Sequence, residues 1–479
     1  MTINAFERVA YLLVKTISAT FIRIKVIDIF VVNYVCKKIT KINCVDDSEV
    51  IVLILDKNRF REDLDALKNV NDWILLEVPR GIQDKINAIS QYRMDNLINN
   101  IYAEIYSDNF IDNEDKSLIK GGYPDDNGLI YLSRILPKII DKLKISCVLS
   151  CGMYYVRHFN WERVFNGTLT PFFCIHRESV GIDEHISRKM NEKVLLGKRK
   201  YFGDFLFVGV HHLKKQLVEM GYIEENRIRV TGVPRADLLV DRKINNKIKI
   251  KKKQVTLFSF WHTYLLDDLE IEKKTKWFDR ENKDGFHDLF ISVHSAIAKY
   301  ALDHKDVNIV IKLKWNTGEF KKRVIDAIRE SIGEKFDDLD NINITDKISA
   351  QELISQSDVL IGFNSTVISE TMAMKKPIII PVFDEAIGKY SENVAWRKQL
   401  DKLVVANSKE DLLKKIDEYL NPILFGTNIN YDESLLKEAF GYIDGCNSKR
   451  LFNYIVALIN RDLCINQPKL YQSSKIKTI

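Results

Sequence analysis

Residues 362–381 place two hydroxyl side chains and one carboxylate around a strand-to-helix corner. The strand-like run DVLIGF ends in Asn364-Ser365-Thr366, and a helix-like run that carries Glu370 follows it. A helix N-terminus has unpaired N–H groups and the positive end of the helix dipole, which together favour a phosphate. Ser365 and Thr366 are therefore predicted to bind phosphate oxygens, while Glu370, one turn later on the same helical face, accepts hydrogen bonds from a ribose. With Asn364 included, the pattern predicts a nucleotide site; a simple helix cap with an exposed acid is the alternative.

Two further strand ends in the second half carry polar side chains. The run VIKLKWN places Lys312 and Lys314 on one face of a strand end, where two ammonium groups would neutralise a diphosphate. Lysines that snorkel from an edge strand are the alternative interpretation. The run LFSFWHTYL places His262 just past a strand, where a histidine donates to a phosphate or carries a proton. A buried structural histidine is the alternative there.

The first half holds a candidate acceptor side. In CIHRESVG, His176, Arg177 and Glu178 lie just beyond a strand end. This cluster is predicted to hold an acceptor, with Glu178 or His176 as the general base. An ion-pair cluster is the alternative of equal weight. His158, in YYVRHFNWE after the preceding strand, is predicted to belong to a second acceptor wall.

Motifs that the sequence lacks argue against several other chemistries. It contains no G-x-G-x-x-G, no Walker loop and no G-x-S-x-G, which disfavours dehydrogenases, P-loop NTPases and α/β-hydrolases. Two D-x-D strings, at 63–65 and 338–340, are interpreted as part of a helix and of a polar loop. Seven irregularly spaced cysteines fit neither a disulfide framework nor a zinc site, so a reducing cytoplasm is expected. No metal and no cofactor are predicted.

The composition is typical of a globular protein without a nucleic-acid partner. The 479 residues are 46% hydrophobic and 29% charged, and 72 basic against 66 acidic residues leave a formal net charge of +6. This surplus is small, and no aromatic-studded basic motif accompanies it. Nucleic acid is therefore not expected as a partner.

The order of the predicted elements positions the candidate side chains. Strand-like and helix-like runs alternate in two series, a pattern typical of doubly wound parallel sheets. Ligands of such sheets bind beyond the carboxyl ends of the strands, so two facing sheets would frame a cleft. We therefore predict an α/β fold with two Rossmann-like domains and with additional N- and C-terminal helices. The predicted bounds are 1–45 for an N-terminal helical segment, 46–240 for an acceptor-side domain, 241–253 for a lysine-rich linker, 254–425 for a donor-nucleotide domain, and 426–479 for C-terminal helices with a polar tail.

The apolar run at 10–35 raises the question of a membrane. Three basic residues and Asp28 interrupt the run, and each would be costly in the middle of a bilayer. The run also lacks the short apolar core and the cleavage site of a signal peptide. A core or docking helix pair is the first interpretation, and interfacial attachment to a membrane is the second.

Several of these stretches resemble a known family. The stretches are TGVPRAD, LFSFWH, GFHDLF with the VH that follows, IKLKW, and SDVLIGFNSTVISETMAMKKPIIIP. They are similar to the sugar-nucleotide half of GT-B-fold glycosyltransferases, in particular to bacterial surface-carbohydrate biosynthesis proteins akin to the CDP-glycerol glycerophosphotransferases. The resemblance covers residues 145–390. It implies a donor nucleotide in the C-terminal domain, with Ser365 and Thr366 at phosphate and Glu370 at ribose, an acceptor in the N-terminal domain, and no metal.

The resemblance implies a cytoplasmic, membrane-peripheral glycosyltransferase. It would move a sugar from a nucleotide-sugar donor to a surface polysaccharide, such as a capsule or lipopolysaccharide, or to a lipid-linked glycan. Lys312, Ser365 and Thr366 would stabilise the departing phosphate, and a base from the region 176–178 would take the acceptor's proton.

Three alternatives remain open at this point. They are transfer of glycerol phosphate from CDP-glycerol, 2-epimerisation of a UDP-sugar, and non-catalytic glycan binding. A CMP-sugar donor is disfavoured, because Lys314-Trp315 stands where sialyl- and Kdo-type transferases carry a His-Pro pair.

Overall fold

Two β-sheets of parallel strands, with helices packed against them, form the body of the protein in a computed structural model. The structure describes residues 27–90, 126–151, 156–166, 168–176, 182–195, 200–245, 252–263, 284–314, 318–426 and 429–464. The predicted helical continuation past residue 90, the first part of the N-terminal segment and the polar tail from 465 lie outside these residues.

The first sheet has seven strands in the order β1-β3-β2-β4-β5-β6-β7, all parallel except for the antiparallel edge pair β1–β3. Its strands are β1 Thr40–Lys41, β2 Ile51–Leu55, β3 Ile74–Val78, β4 Cys147–Ser150, β5 Phe172–Ile175, β6 Phe205–Val208 and β7 Ile228–Val230. Leu53 and Leu55 pack in one apolar cluster, while Val52 and Ile54 pack in another on the opposite face. The apolar run IVLIL is therefore a strand that is covered on both faces, as parallel sheets require.

Helices alternate with the strands of this first unit. They are α1 Ile27–Lys38, α2 Lys57–Lys68, α3 Arg80–Ser90, α4 Asp126–Leu143, α5 Val156–Phe165, α6 Glu184–Leu195, α7 His211–Glu219 and α8 Pro234–Asn245. Pro137 lies inside a helix-like run, which predicts a kink or a break there; no break occurs, since α4 runs through that residue. Helix α8 also extends to Asn245, into the stretch predicted as a linker.

The second sheet has six parallel strands in the order β10-β9-β8-β11-β12-β13. Its strands are β8 Gln254–Phe258, β9 Asn308–Lys312, β10 Ile342–Thr345, β11 Val359–Gly362, β12 Ile378–Pro381 and β13 Val404–Ala406. The chain winds outward from β8 through β9 to β10, and then crosses to β11 on the other side of β8. This is the doubly wound order of dinucleotide-binding sheets.

The helices of the second unit alternate with these strands, and three more follow α13, the helix after the last strand. They are α9 His287–Asp303, α10 Gly318–Ile332, α11 Ala350–Gln356, α12 Val367–Ala373, α13 Lys409–Leu420, α14 Pro422–Phe425, α15 Glu433–Phe440 and α16 Asn447–Cys464. Helix α16 returns to the first unit, where Leu451, Phe452 and Ile455 join the apolar cluster behind the first sheet. The ring centroids of Phe452 and Trp73 lie 5.2 Å apart. The last of the predicted C-terminal helices thus folds back onto the first unit.

Helix α1 is the described part of the apolar N-terminal run. It packs against α4, and its buried Asp28 is paired with Arg134 at 2.6 Å and with Lys138 at 3.1 Å. These contacts agree with a docking helix. In the part of the chain that the structure describes, no helix combines the length and the apolar character needed to cross a bilayer.

Candidate functional site

The strand order of the second sheet reverses between β8 and β11, and the carboxyl ends of these strands are neighbours. Phe258, at the end of β8, is in register with Lys312 on one side and with Gly362 on the other. The loop after β8 carries His262, and the loop after β11 is the corner at 364–366. In doubly wound sheets, the crevice at such a reversal is where ligands bind. Tertiary structure therefore brings together candidate residues that lie about a hundred positions apart in the chain.

Asn364 stabilises the corner through its backbone conformation and its side-chain hydrogen bonds. Its φ of 44° lies in the left-handed region, which asparagine tolerates better than most residues. Its Nδ2 donates to the carbonyl of Asn393 at 2.8 Å, and its Oδ1 accepts from the backbone N–H of Ala395 at 2.8 Å. Both polar ends of the buried side chain thus hold the loop at 393–395. A direct contact between Asn364 and a nucleotide stays a prediction.

The two hydroxyl residues of the corner differ in exposure. Ser365 is half-buried, and its Oγ accepts from the N–H of Val367 at 3.4 Å, whereas Thr366 is exposed. The helix that follows, α12, has only seven residues. So short a helix aligns few peptide dipoles, and the positive charge at this edge must come mainly from side chains.

Lys312 and Lys314 lie in different environments. The Nζ of Lys312 donates to the carbonyl of Asp346 at 2.9 Å and to that of Leu313 at 3.3 Å, so this ammonium caps strand ends. Lys314 is half-buried, and desolvation lowers its pKa from 10.5 to about 7. A lysine of this kind gains charge when a phosphate approaches.

Arg323, on α10, is a cation that the sequence analysis missed. Its guanidinium lies 5.4 Å from the ring centroids of both Trp261 and Phe290, and its Nη2 lies 3.4 Å from Nε2 of His262. Burial lowers the pKa of Arg323 to about 10. A signal did exist, because Arg323 stands three positions after the buried Phe320 and so on the apolar face of its helix.

His262 is buried against this arginine, and a second histidine supports its loop. His294 Nδ1 lies 2.7 Å from the carbonyl of Phe290, and its Nε2 lies 2.9 Å from Oγ of Ser259. A carbonyl only accepts, so Nδ1 carries the hydrogen and Nε2 accepts from the serine hydroxyl. Burial lowers the pKa of His294 to about 4. His294 is therefore neutral at physiological pH, and it fixes the chain that leads from β8 to His262.

Glu370 is buried, and not the exposed acid of the alternative interpretation. Only 4% of it is exposed. Its Oε2 accepts from Nε2 of Gln351 at 2.7 Å, and its Oε1 lies 3.4 Å from Nε of Arg235. Arg235 begins α8 of the first unit, in the stretch TGVPRAD that is interpreted as a structural corner. The corner is present, with Gly232 at a φ of 79°, but its arginine also connects the two units.

Arg235 completes a buried set of three charges with Asp63 and Glu370. Asp63 of α2 accepts from Nη1 of Arg235 at 3.0 Å and from the backbone N–H of the same residue at 3.1 Å. Burial alone would lower the pKa of Arg235, but the charges of Asp63 and Glu370 outweigh burial and raise it. Because Arg235 follows the carboxyl edge of one sheet and Glu370 that of the other, the two edges face each other. This confirms the predicted fold class, two doubly wound parallel-sheet domains that face a cleft.

A small cavity opens on the first unit's side of this contact. It has room for about one water molecule, and its lining includes His176, Asp63, Arg235 and the glycines at 209 and 232. His176 directly follows β5 and is 1% exposed. An imidazole and a carboxylate that line the same cavity are groups that can take and hold a proton.

The other acceptor-side candidates are placed differently. Arg177 and Glu178 lie outside the described residues. His158 is fully buried on α5, inside the first unit. Among the side chains that the structure describes, no three His, Cys, Asp or Glu residues cluster as a metal site would require. Metal independence stays a prediction.

Comparisons with known proteins return only similarities of structure. No protein-family model matches the sequence, and no curated protein does. Among solved structures, the chain is similar to a UDP-GlcNAc 2-epimerase from Neisseria meningitidis bound to UDP-GlcNAc, with 13% identity, coverage of 86% of this chain and 100% of that one, and a TM-score of 0.44. It is also similar to a glycosyltransferase from Rickettsia africae, with 15% identity, coverage of 87% and 97%, and a TM-score of 0.39. For the wall teichoic acid polymerase TagF the identity is 14%, the coverage 67% and 74%, and the TM-score 0.37. Similarities this low carry no activity over to this chain.

Proposed function

We propose that the protein is a glycosyltransferase that binds a nucleotide-sugar at the strand reversal of its second sheet. The observation that carries the proposal is the meeting of three loops at the carboxyl ends of β9, β8 and β11. The residues that follow these strand ends include Lys314, His262, Ser365 and Thr366. Hydroxyl and cationic groups at a strand reversal are suited to a sugar nucleotide's diphosphate.

The donor would lie along this crevice with its ribose toward Glu370. The carboxylate oxygens of Glu370 accept hydrogen bonds from Gln351 and Arg235, and a carboxylate is also a suitable acceptor for the two hydroxyls of a ribose. Because Glu370 is covered by Arg235 of the first unit, access by a ribose requires a small separation of the two units.

The acceptor would lie across the cleft, with its reacting hydroxyl at the small cavity beside His176. Its hydroxyl oxygen forms a bond to the anomeric carbon, while the bond from that carbon to the phosphate oxygen breaks. The electron pair leaves with the nucleoside diphosphate, whose new charge Lys314 and Arg323 stabilise. The hydroxyl proton passes to His176 or to Glu178. A nucleotide-sugar and one acceptor hydroxyl thus give a glycoside, a nucleoside diphosphate and a proton.

Thermal unfolding in the presence of nucleotides tests the donor site. UDP, CDP, CMP and GDP, with and without their sugars, are compared, and we expect a diphosphate to raise the unfolding midpoint more than a monophosphate does. The double variant Ser365→Ala/Thr366→Ala should reduce the increase, whereas Lys321→Gln, an exposed lysine on α10, should not. Equal midpoints with every nucleotide would contradict the proposal and favour non-catalytic glycan binding.

Product analysis separates the activities that would share this cleft. Incubation with a UDP-sugar alone yields an isomer only if the protein is an epimerase, because no acceptor is needed. Release of CMP from CDP-glycerol with an acceptor would indicate glycerol phosphate transfer. Release of a nucleoside diphosphate that depends on a glycan acceptor supports the glycosyltransferase.

A further inference from the structure

Helix α14 presents three consecutive large apolar side chains to solvent. Ile423 is 98% exposed, Leu424 77% and Phe425 51%, and these residues are called the apolar tip. The helix forms on local bonds, since the N–H groups of Leu424 and Phe425 donate to the carbonyl of Asn421 at 3.0 and 3.2 Å, and Gly426 ends it with a φ of 64°. Apolar side chains are not needed for such a turn. They contribute nothing to the core, and large exposed apolar groups side by side mark a contact surface.

The most basic stretch of the chain ends at the base of the tip. Nζ of Lys253 donates to Oδ1 of Asn421, the residue that precedes α14. Seven of the chain's 72 basic residues and one of its 66 acidic residues lie in the stretch 241–253, so the rest of the chain is balanced at 65 of each. This stretch therefore accounts for the whole formal net charge of +6. Lys252 and Lys253, its last two residues, are exposed.

The acidic side chains of the helix that leads to the tip already have partners. On the last turns of α13, Asp417 accepts from the hydroxyl of Tyr300 at 2.7 Å, and Glu418 lies 3.7 Å from the ammonium of Lys414. Lys253 has no carboxylate partner in the contacts of the described residues, where its ammonium meets the neutral amide of Asn421. The positive charge beside the tip is thus available to an anionic surface.

We propose that the apolar tip, with Lys252 and Lys253, is a docking surface for an anionic lipid bilayer. The three apolar side chains would enter the boundary between headgroups and acyl chains, while the two ammonium groups stay at the level of the lipid phosphates. One weak apolar anchor binds a membrane only marginally, and a neighbouring basic patch supplies the second contribution that lasting attachment needs.

The position of the surface is compatible with an active donor cleft. Lys253 immediately precedes β8, and its carbonyl accepts from the N–H of Asn308 at the start of β9. The tip therefore lies at the amino edge of the second sheet, whereas the crevice lies at the carboxyl edge. Docking by this surface leaves the crevice uncovered and does not depend on which group the protein transfers.

Flotation of the full-length protein with vesicles tests the surface. We expect the protein to float with phosphatidylcholine vesicles that contain phosphatidylglycerol, and not with phosphatidylcholine alone. The triple variant Ile423→Ser/Leu424→Ser/Phe425→Ser should bind about tenfold more weakly or worse. The variant Lys252→Gln/Lys253→Gln should also lose about tenfold or more, and added salt should mimic that loss.

Matched variants control for general effects of polarity and charge. Ile387→Ser removes another exposed apolar residue of the same unit, 68% exposed, and Lys321→Gln/Lys322→Gln removes two exposed lysines from α10. Both should float like the unchanged protein, and all variants should keep its unfolding midpoint. Flotation that survives loss of the tip would overturn the proposal, since the membrane would then contact another surface. The proposal would also be contradicted if the unchanged protein does not float with the anionic vesicles. A further contradicting result would be size-exclusion chromatography in which the tip only joins two copies of the protein.

The nucleotide experiment distinguishes this surface from the donor site. The tip variant should show the same nucleotide-induced increase in unfolding midpoint as the unchanged protein. Flotation without any nucleotide response would contradict the proposed transferase and leave the docking surface intact.

Discussion

Lys312 ends β9 and Lys314 lies two positions beyond it, yet their ammonium groups have different surroundings. Lys312 donates to two backbone carbonyls, which keeps its charge compensated inside the fold. Lys314 is desolvated, and its pKa falls to about 7. The difference matters for binding, because only a lysine that is partly neutral in the free protein takes up a proton when an anion arrives.

Nucleotide binding should therefore be coupled to proton uptake by Lys314. A diphosphate favours the charged ammonium and raises its pKa from about 7. Affinity should fall as the pH rises above 7, by up to about tenfold per unit, while up to one proton per nucleotide enters from the buffer. Calorimetric titration at pH 8, in two buffers of different ionisation enthalpy, measures this uptake.

The substitution Lys314→Arg supplies the control for this prediction. It keeps a positive charge that does not titrate near neutral pH, so the dependence on buffer should disappear while binding persists. Equal binding enthalpies of the unchanged protein in both buffers would contradict the role given to Lys314.

His294 makes stability depend on pH in the acidic range. Its pKa is lowered from 6.5 to about 4 in the folded protein, so the unfolded chain binds a proton at a pH where the folded one does not. Stability should fall as the pH decreases from about 6.5 to about 4, by about 3 kcal/mol in total. His294→Gln should remove this part of the pH dependence, as measured by urea unfolding midpoints. His304 directly follows α9 and is half-buried. The substitution His304→Gln is the matched control and should leave this part of the pH dependence unchanged.

At the scale of elements, the corner after β11 belongs to a connected set of loops. Asn364 holds the loop at 393–395, and Trp396, which follows it, adopts a φ of 65° while fully buried. The backbone N–H of Trp396 donates to Asp183, whose other oxygen accepts from the N–H of Ile186 at the start of α6. The donor-side corner is therefore joined through one loop to the first unit, close to the predicted acceptor segment.

Substitutions of Asn364 should separate backbone geometry from hydrogen bonding. Asn364→Gly tolerates a φ of 44° but loses both loop contacts, at a cost of about 1–3 kcal/mol. Asn364→Ala loses the same contacts and adds about 1 kcal/mol or more of backbone strain. Urea unfolding should rank the unchanged protein above Gly and Gly above Ala; a more stable Ala variant would contradict the left-handed backbone at this position.

At the scale of the whole molecule, Asp63, Arg235 and Glu370 determine how the two units meet. A buried ion pair adds little compared with apolar packing, but removal of one partner leaves a charge buried without compensation. Arg235→Met should therefore lower stability by about 3–5 kcal/mol. The change is measured as a shift of the urea midpoint, with Arg235→Lys expected to lose less because it keeps a charge.

The same substitution at an exposed ion pair is the control. Arg329 lies 2.7 Å from Asp337 with both side chains about half exposed, and Arg329→Met should change stability by about 1 kcal/mol or less. Comparable losses at both arginines would contradict a buried interdomain network.

Much of the fold could be predicted because its signals are local. The alternation of apolar runs and helical periods is visible within ten to twenty residues, and it placed β11, the corner and β12 within a residue or two of their observed bounds. Pro137 shows the limit of such local rules, because a kink or a break is predicted there and α4 nevertheless runs through that residue.

The sequence alone determined the two alternating series, the hydroxyl-bearing corner and the acid one turn behind it. Only the tertiary structure decided that Glu370 is buried beneath an arginine 135 positions away, that Lys314 and not Lys312 is desolvated, and that Arg323 joins His262. The physical reason is that hydrophobic periods are properties of neighbouring residues, whereas the burial and partners of a charge depend on which distant elements pack together. The corner's residue types were readable from the chain; the electrostatic surroundings that decide their chemistry were not.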